Sequence, residues 1–233
     1  MMSPTWALQN LIDIARLFES RGNRYMLSDG TLLGAVRDGQ FIPWDHDTDL
    51  LVPIQDFDPV VLRDLHCEGF QITRCFGFPE DGMEFTLRRY GIDTDLFFLY
   101  PRGTGSYISS YWWDIIDGTA EWIDYDFPLL EGGWIDFQEH RFRAPADPER
   151  YLSCAYGDSW RTPNDRWNWR VDPPNAATRR QRMDVAASYR AIAEYIHRGS
   201  GLRLEPGTSS SPPYVRMTPS VDRSLELWFS KSP

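Results

Sequence analysis

A chain of 233 residues that is 42% hydrophobic and 15% aromatic can bury a core without disulfide or zinc staples, and its composition excludes disorder throughout. A net charge of −10 and an isoelectric point near 4.9 exclude any general attraction to nucleic acid or to anionic membrane. Cys67, Cys75 and Cys154 form neither a CxxC motif nor an even framework, which fits a reducing compartment better than a disulfide scaffold.

Leu8, Leu11, Ile12, Ala15 and Phe18 recur at helical spacing, with Ser3 or Thr5 as a cap and Gly22 beyond the end, and predict an amphipathic helix. Arg24 to Leu27 reads as a short strand ending in Ser28-Asp29-Gly30. A short helix over Thr31 to Arg37, closed by Gly39, follows it. His46 to Val52 reads as a second strand stopped by Pro53, residues 57–68 as a helix and 70–76 as a strand. Two further strands are expected at 83–90 and 92–100, parted by Gly91. The stretch 103–134 is rich in Gly, Trp and Tyr and shows no clear period.

Farther on, Phe137 to Ala144 reads as a hairpin or edge strand. Asp147-Pro148-Glu149 opens a short helix, with Asp as cap and Pro in the first turn. A longer helix is expected from Ala176 to His197. The whole is an α/β (α+β) pattern, a mixed sheet flanked by helices. It predicts one domain over 1–198 that includes the C-terminal helix, then a Pro/Ser/Gly-rich flexible tail over 199–233. No apolar run reaches transmembrane length and the first residues lack a basic n-region, so a cytoplasmic protein without an integral membrane segment is expected.

The run Trp44-Asp45-His46-Asp47-Thr48-Asp49-Leu50-Leu51-Val52 carries the most chemistry. In extended backbone, Asp45, Asp47 and Asp49 share one face, while His46, Thr48, Leu50 and Val52 take the other. Three carboxylates this close repel, and a divalent cation that accepts hard oxygen ligands at about 2.0–2.1 Å relieves the repulsion. An EF-hand loop is excluded, because its sixth and twelfth positions would be Leu50 and Asp56 in place of Gly and Glu. Farther on, Ile92-Asp93-Thr94-Asp95-Leu96-Phe97-Phe98-Leu99 embeds two carboxylates in an apolar strand, which is costly unless they are paired or metal-bound. Either Asp93 or Asp95 can complete a metal cluster; Asp95, flanked more tightly by the hydrophobic run, is favoured.

Upstream, Gly30-Thr31 stands where a strand turns into a helix, so that backbone N–H groups and the helix dipole can hold a phosphate. Gly34 permits close backbone approach, and Arg37 offers a bidentate fork. Taken together, Leu27-Ser28-Asp29-Gly30-Thr31-Leu32-Leu33-Gly34-Ala35-Val36-Arg37 followed by Ile42-Pro43-Trp44-Asp45 and the Asp47/Asp49 pair resembles the signature of the LicD family of phosphotransferases, a branch of the nucleotidyltransferase superfamily. A second stretch, Tyr151-Leu152 then Tyr156-Gly157-Asp158-Ser159-Trp160 and Pro163, resembles another segment of that family. The resemblance spans about 24–165. Asp29 departs from it, since an uncharged residue is more usual before the glycine.

The resemblance implies a nucleotidyltransferase-like fold and transfer of a phospho-alcohol, such as phosphocholine or ribitol phosphate, from a CDP-activated donor to a glycan acceptor hydroxyl, with CMP leaving. It implies Gly30 and Thr31 at the nucleotide phosphates, and Asp47 and Asp49 as ligands of Mg²⁺ (or Mn²⁺), with Asp95 as third ligand and Asp45 beside them. A spare carboxylate, Asp45 or Asp93, is the candidate base. Tyr111, Trp112 and Trp113 are candidates for a choline cage, with ordinary packing as their alternative role. Competing functions are a nucleotidyltransferase that moves NMP to a small molecule or glycan, and a non-catalytic binding protein of the same fold.

Overall fold

The computed structural model describes residues 2–114, 117–206 and 215–219. In chain order the elements are α1 (Pro4–Ser20), β1 (Met26–Leu27), α2 (Asp29–Arg37), β2 (Asp47–Pro53), α3 (Val61–Cys67), β3 (Gln71–Phe78), β4 (Asp81–Arg89), β5 (Ile92–Arg102), β6 (Gly105–Asp114), β7 (Thr119–Pro128), β8 (Gly132–Phe137), β9 (His140–Pro145), α4 (Pro148–Tyr156), β10 (Ala176–Asp184), α5 (Val185–Ser200), β11 (Leu202–Pro206) and β12 (Val215–Pro219). Eight strands form a mixed sheet in the order β1-β2-β5-β6-β7-β10, with β4 pairing both β5 and β3. This is the α/β architecture read from the sequence.

The strand β5 is the organiser. Its Asp93–Leu99 stretch pairs in parallel with Asp47–Pro53 of β2, its Ile92–Phe97 stretch pairs antiparallel with β4, and Tyr100–Arg102 continues into β6. Along β5, Ile92, Thr94, Leu96 and Phe98 are buried, whereas Asp93, Asp95 and Phe97 are only half-buried. Period-two geometry therefore gives the sheet two unlike faces. One is apolar and packs under α1, which lies on β2 and β5, and α5, which lies on β3. Leu11, Ile14 and Phe18 of α1, Val61, Leu62 and Leu65 of α3, and Ile192 and Ile196 of α5 are at most 1% exposed and form this core with Leu50, Phe85 and Phe98. The other face carries the carboxylates.

The structure departs from the sequence reading in four places. The helix expected over 176–197 is a strand up to Asp184 and a helix only from Val185. Residues 180–184 pair with Thr119–Ile123 of β7, and the Asp184 carboxylate then caps α5 by accepting from Ala186 N–H (2.8 Å) and Ala187 N–H (3.0 Å). Pairing with an open sheet edge overrides the helical propensity of this segment. In the unassigned stretch 103–134 lie the paired strands β6 and β7, whose alternation is masked because Tyr107, Ile108 and Ser109 are all buried. The helix expected over 57–68 is confined to Val61–Cys67, because Asp58 is held by Asn23 (2.6 Å) and its carboxylate accepts from Val60 N–H (3.0 Å) in a turn that precedes the helix. Within the expected tail, β11 and β12 pair with each other and bury Leu202, Leu204, Val215 and Met217; residues 207–214 and 220–233 lie outside the described residues.

Candidate active site

The site grows from the way α2 is pinned to β2. The Thr31 hydroxyl accepts from Asp49 N–H (2.8 Å), while Thr31 N–H donates to Asp49 Oδ2 (3.3 Å) and Ser28 N–H donates to the Asp49 carbonyl (3.1 Å). The first turn of the helix thus donates to a carboxylate of the chain itself. Thr31 is a clamp between two elements, and its 2% exposure leaves its hydroxyl no access to a phosphate. That alters the role expected for it.

Gly30 is required sterically. A Cβ there would overlap Asp45 Oδ2 and stand 3.4 Å from Asp49 Oδ2. Gly34 also permits a close approach, but to the chain's own loop: a Cβ would stand 2.5 Å from the Gln40 carbonyl and 3.2 Å from the Ile42 nitrogen. Gly34 therefore seats the loop that leads into Asp45, and it does not line the cavity. Arg37 does line it, with its guanidinium on Asp38 at 2.7 Å.

Asp45, Asp47 and Asp49 each offer an oxygen, and these oxygens lie within 4.8 Å of one another. Asp95 stands outside that trio on the adjacent strand, register-opposite Asp49, with Thr86 Oγ1 donating to it at 2.5 Å and Arg74 at 3.4 Å. Asp93 is held by both arms of Arg88 (2.6 and 2.7 Å) and does not line the cavity, which removes it as a candidate base. All four cluster carboxylates line one cavity of about 460 Å³, within the range of small-molecule sites. Burial pushes the Asp47 carboxyl up to about 7, aided by the charge of Asp45. Burial, then repulsion from Asp47 and Asp29, pushes Asp49 well above the ordinary carboxylate range. Asp45 is also raised, chiefly by burial, and Asp95 is raised to about 6 by burial against the opposing pull of Arg74.

Three further features complete the site. Asp29 opens α2 at φ +41°, a left-handed conformation uncommon outside glycine, and its carboxylate accepts from Tyr151 Oη at 3.3 Å. Burial raises it to about 6, and its Oδ2 has no partner among the described residues. Glu84 of β4 and Arg74 of β3 also line the cavity, unannounced by any motif. The signal for Glu84 was in the sequence: a charge inside Met83-Glu84-Phe85-Thr86-Leu87 follows the rule already applied to Asp95. The proposed cage does not assemble, because Tyr111 stacks on Phe76 in a buried cluster while Trp112, its strand neighbour, is exposed beneath Arg170. The aromatic wall comes instead from Trp44 and from the 156–169 segment, where Tyr156 packs on Trp167 at 4.9 Å and Ser159 and Trp160 line the cavity.

The contact at Gly30 predicts that Gly30→Ala displaces Asp45. The expected result is at least about a tenfold loss of divalent-ion affinity, as for a disturbed outer-shell partner, with melting shifted only slightly. Titration calorimetry with Mn²⁺ checks it, and unchanged affinity would show that Asp45 does not contribute to the cluster. Among the described residues no helix is long and apolar enough to cross a membrane.

Comparison with known proteins agrees with this geometry. Residues 22–147 match the model of a family described as LicD/FKTN/FKRP, nucleotidyltransferase domain. The match takes in Gly30 through Asp49 and Asp95, and stops before the Tyr151–Pro163 segment. The chain is 28% identical over 164 residues to the ribitol-5-phosphate transferase FKTN of Mus musculus, covering 69% of this chain and 34% of that protein. It is 27% identical to the Homo sapiens FKTN over the same length and shares. An uncharacterized protein of Caenorhabditis elegans is 31% identical over 172 residues, 68% of this chain and 44% of that one. The chain therefore spans about a third of the length of the FKTN relatives it matches. Both the aspartate cluster and the strand that faces it fall within the matched stretch, and the chain belongs to the LicD/FKTN/FKRP family, with residues 22–147 as its nucleotidyltransferase domain.

Proposed function

We propose that the protein is a metal-dependent phosphotransferase. It moves a phospho-alcohol, phosphocholine or a polyol phosphate, from a CDP-activated donor to a glycan hydroxyl and releases CMP. The observation that carries this reading is the convergence of three carboxylate oxygens within 4.8 Å, in a cavity, in a chain of this family. The FKTN relatives, named as ribitol-5-phosphate transferases, support the class of group transferred.

The donor set suits a hard divalent cation. Asp45, Asp47 and Asp49 are carboxylates, none of them ion-paired to an arginine among the described residues, and burial makes their joint ionisation costly without a cation. Asp47 and Asp49 are the ligands from β2, and Asp95, which Arg74 approaches at 3.4 Å, is the third from the neighbouring strand. When bound, Mg²⁺ or Mn²⁺ offsets the charge that builds on the phosphoryl oxygens. Gly30, at the start of α2, leaves room for the Asp45 carboxylate beside Asp49. Arg37 lines the same wall and contributes positive charge. The acceptor hydroxyl oxygen bonds to the phosphorus that bears the alcohol, the bond from that phosphorus to the CMP oxygen breaks, and Asp45 accepts the hydroxyl proton.

A screen of CDP-choline, CDP-ribitol and CDP-glycerol with Mg²⁺ and Mn²⁺ tests the reading. CMP is expected only when an acceptor glycan is present. If no CDP-alcohol yields CMP while a nucleoside triphosphate yields a nucleotidylated product, the chain is an NMP transferase instead.

A further inference from the structure

We propose that Glu84 is the specificity-determining residue of this site, and that it hydrogen-bonds a hydroxyl of the substrate on the side of the cavity away from the β2 aspartates. The inference rests on the phosphotransfer reading above and extends it to the group at the far end of the bound molecule.

Strand register sets the position. Asp49 stands opposite Asp95 across β2 and β5, and Asp95 stands opposite Thr86 across β5 and β4, where the two side chains are bonded. Glu84 is two residues from Thr86 along β4, on the same face, opposite Phe97. Two strand spacings, roughly 10 Å across the sheet, separate it from the β2 aspartates, and one separates it from Asp95, whose charge it feels, so it lies within the span of an alcohol or sugar bound at the cluster. Phe97, Ile108, Ser110 and Tyr111 line the cavity around it.

Its Oε2 is shielded from solvent and has no hydrogen-bond partner among the described residues. A buried carboxyl oxygen without a partner is costly, and in a ligand cavity it marks where a ligand atom belongs. The neighbouring Arg74, which donates to Thr86 (3.0 Å) and Asp95 (3.4 Å), sets the chemistry. A guanidinium beside Glu84 disfavours a second cation such as trimethylammonium. Burial, then the charge of Asp95, raises the Glu84 carboxyl well above its usual range. Its unpartnered oxygen accepts from a donor, which a hydroxyl supplies and a trimethylammonium lacks.

The hydroxyl belongs either to the transferred alcohol or to the acceptor glycan, and two arms of one experiment separate these sources. In the first, CMP, CDP-ribitol and CDP-choline are titrated with Mn²⁺ into the wild type, Glu84→Ala and Glu84→Gln. In the second, the acceptor's KM is measured in the same proteins. Glu84→Met, which fills the space without bonding, replaces alanine if the latter fails to fold.

Glu84→Ala is expected to weaken CDP-ribitol about 10- to 100-fold and to leave CMP and CDP-choline within about twofold. Glu84→Gln, which keeps an accepting oxygen in the same place, is expected to stay within about threefold of wild type. That result assigns the hydroxyl to the transferred alcohol. If donor binding holds while the acceptor's KM rises about tenfold or more, again restored by Gln, the hydroxyl is the acceptor's. The proposal is overturned if Ala changes neither, if it weakens CMP as much as CDP-ribitol, if CDP-choline suffers equally, or if Gln behaves like Ala. A wild type that binds none of the three nucleotides overturns the phosphotransfer reading itself, and that result needs no variant.

Discussion

Asp47→Ala is expected to lower turnover of the CDP-alcohol by at least about a thousandfold, the ~4 kcal/mol of charge stabilisation that a correctly held divalent ion supplies at phosphoryl oxygens. The same substitution removes the carboxylate at the centre of the repulsive set, since Asp49, Asp29 and Asp95 all feel its charge. The metal-free variant should therefore melt higher than the metal-free wild type. It should also lose most of the stabilisation that Mn²⁺ gives the wild type, about 2.7 kcal/mol at a hundred times Kd. Loss of activity with a gain in metal-free stability is the mark of a site residue, because a core residue loses both. Turnover and Mn²⁺ response equal to wild type would overturn the assignment of the active site.

In the metal-free protein, melting temperature should rise as pH is lowered from 7.5 to 5.5. Asp47 is raised to about 7, Asp29 and Asp95 to about 6, and Asp49 and Glu84 well above the ordinary range, each chiefly by burial. Unfolded, these groups titrate near 4. Between pH 4 and 7 the native state thus holds more protons than the unfolded chain, and stability falls as pH rises, by about 1.4 kcal/mol per pH unit for each extra proton held. The stabilising contribution is complete below pH 4 and is lost as pH climbs past 6 and 7. Mn²⁺ at pH 7.5 should restore it, since the cation takes the place of the protons among the aspartates. Calorimetric scans in EDTA and in Mn²⁺ across that range check both statements. A melting temperature in EDTA that is flat or rises towards pH 7.5 would show that the aspartates are ionised and relaxed without a cation.

Much of this site was legible in the chain because its signals are local. Asp45, Asp47 and Asp49 announce themselves by spacing, and Asp95 by a charge set within apolar residues. What spacing cannot convey is which neighbour uses a residue. Thr31 and Gly34 looked like phosphate contacts, and both serve the chain's own packing, one against Asp49 and the other against Gln40 and Ile42. Asp93 and Asp95 looked alike, and Arg88 from the adjacent strand parts them. The tryptophans at 112 and 113 looked like a cage, but strand alternation sends neighbours to opposite faces. The misread helix over 176–184 has the same origin, because its residues favour a helix until β7 presents an edge that must be paired.

The sequence by itself determined the class of fold, the aspartate cluster and the family, because hydrophobic period and a contiguous motif survive in one dimension. Only the tertiary structure decided that Asp95 faces Asp49, that Asp93 turns to Arg88, and that Glu84 lines the same cavity. Those relations depend on strand register between segments tens of residues apart. Register is set by pairing and burial across the whole sheet.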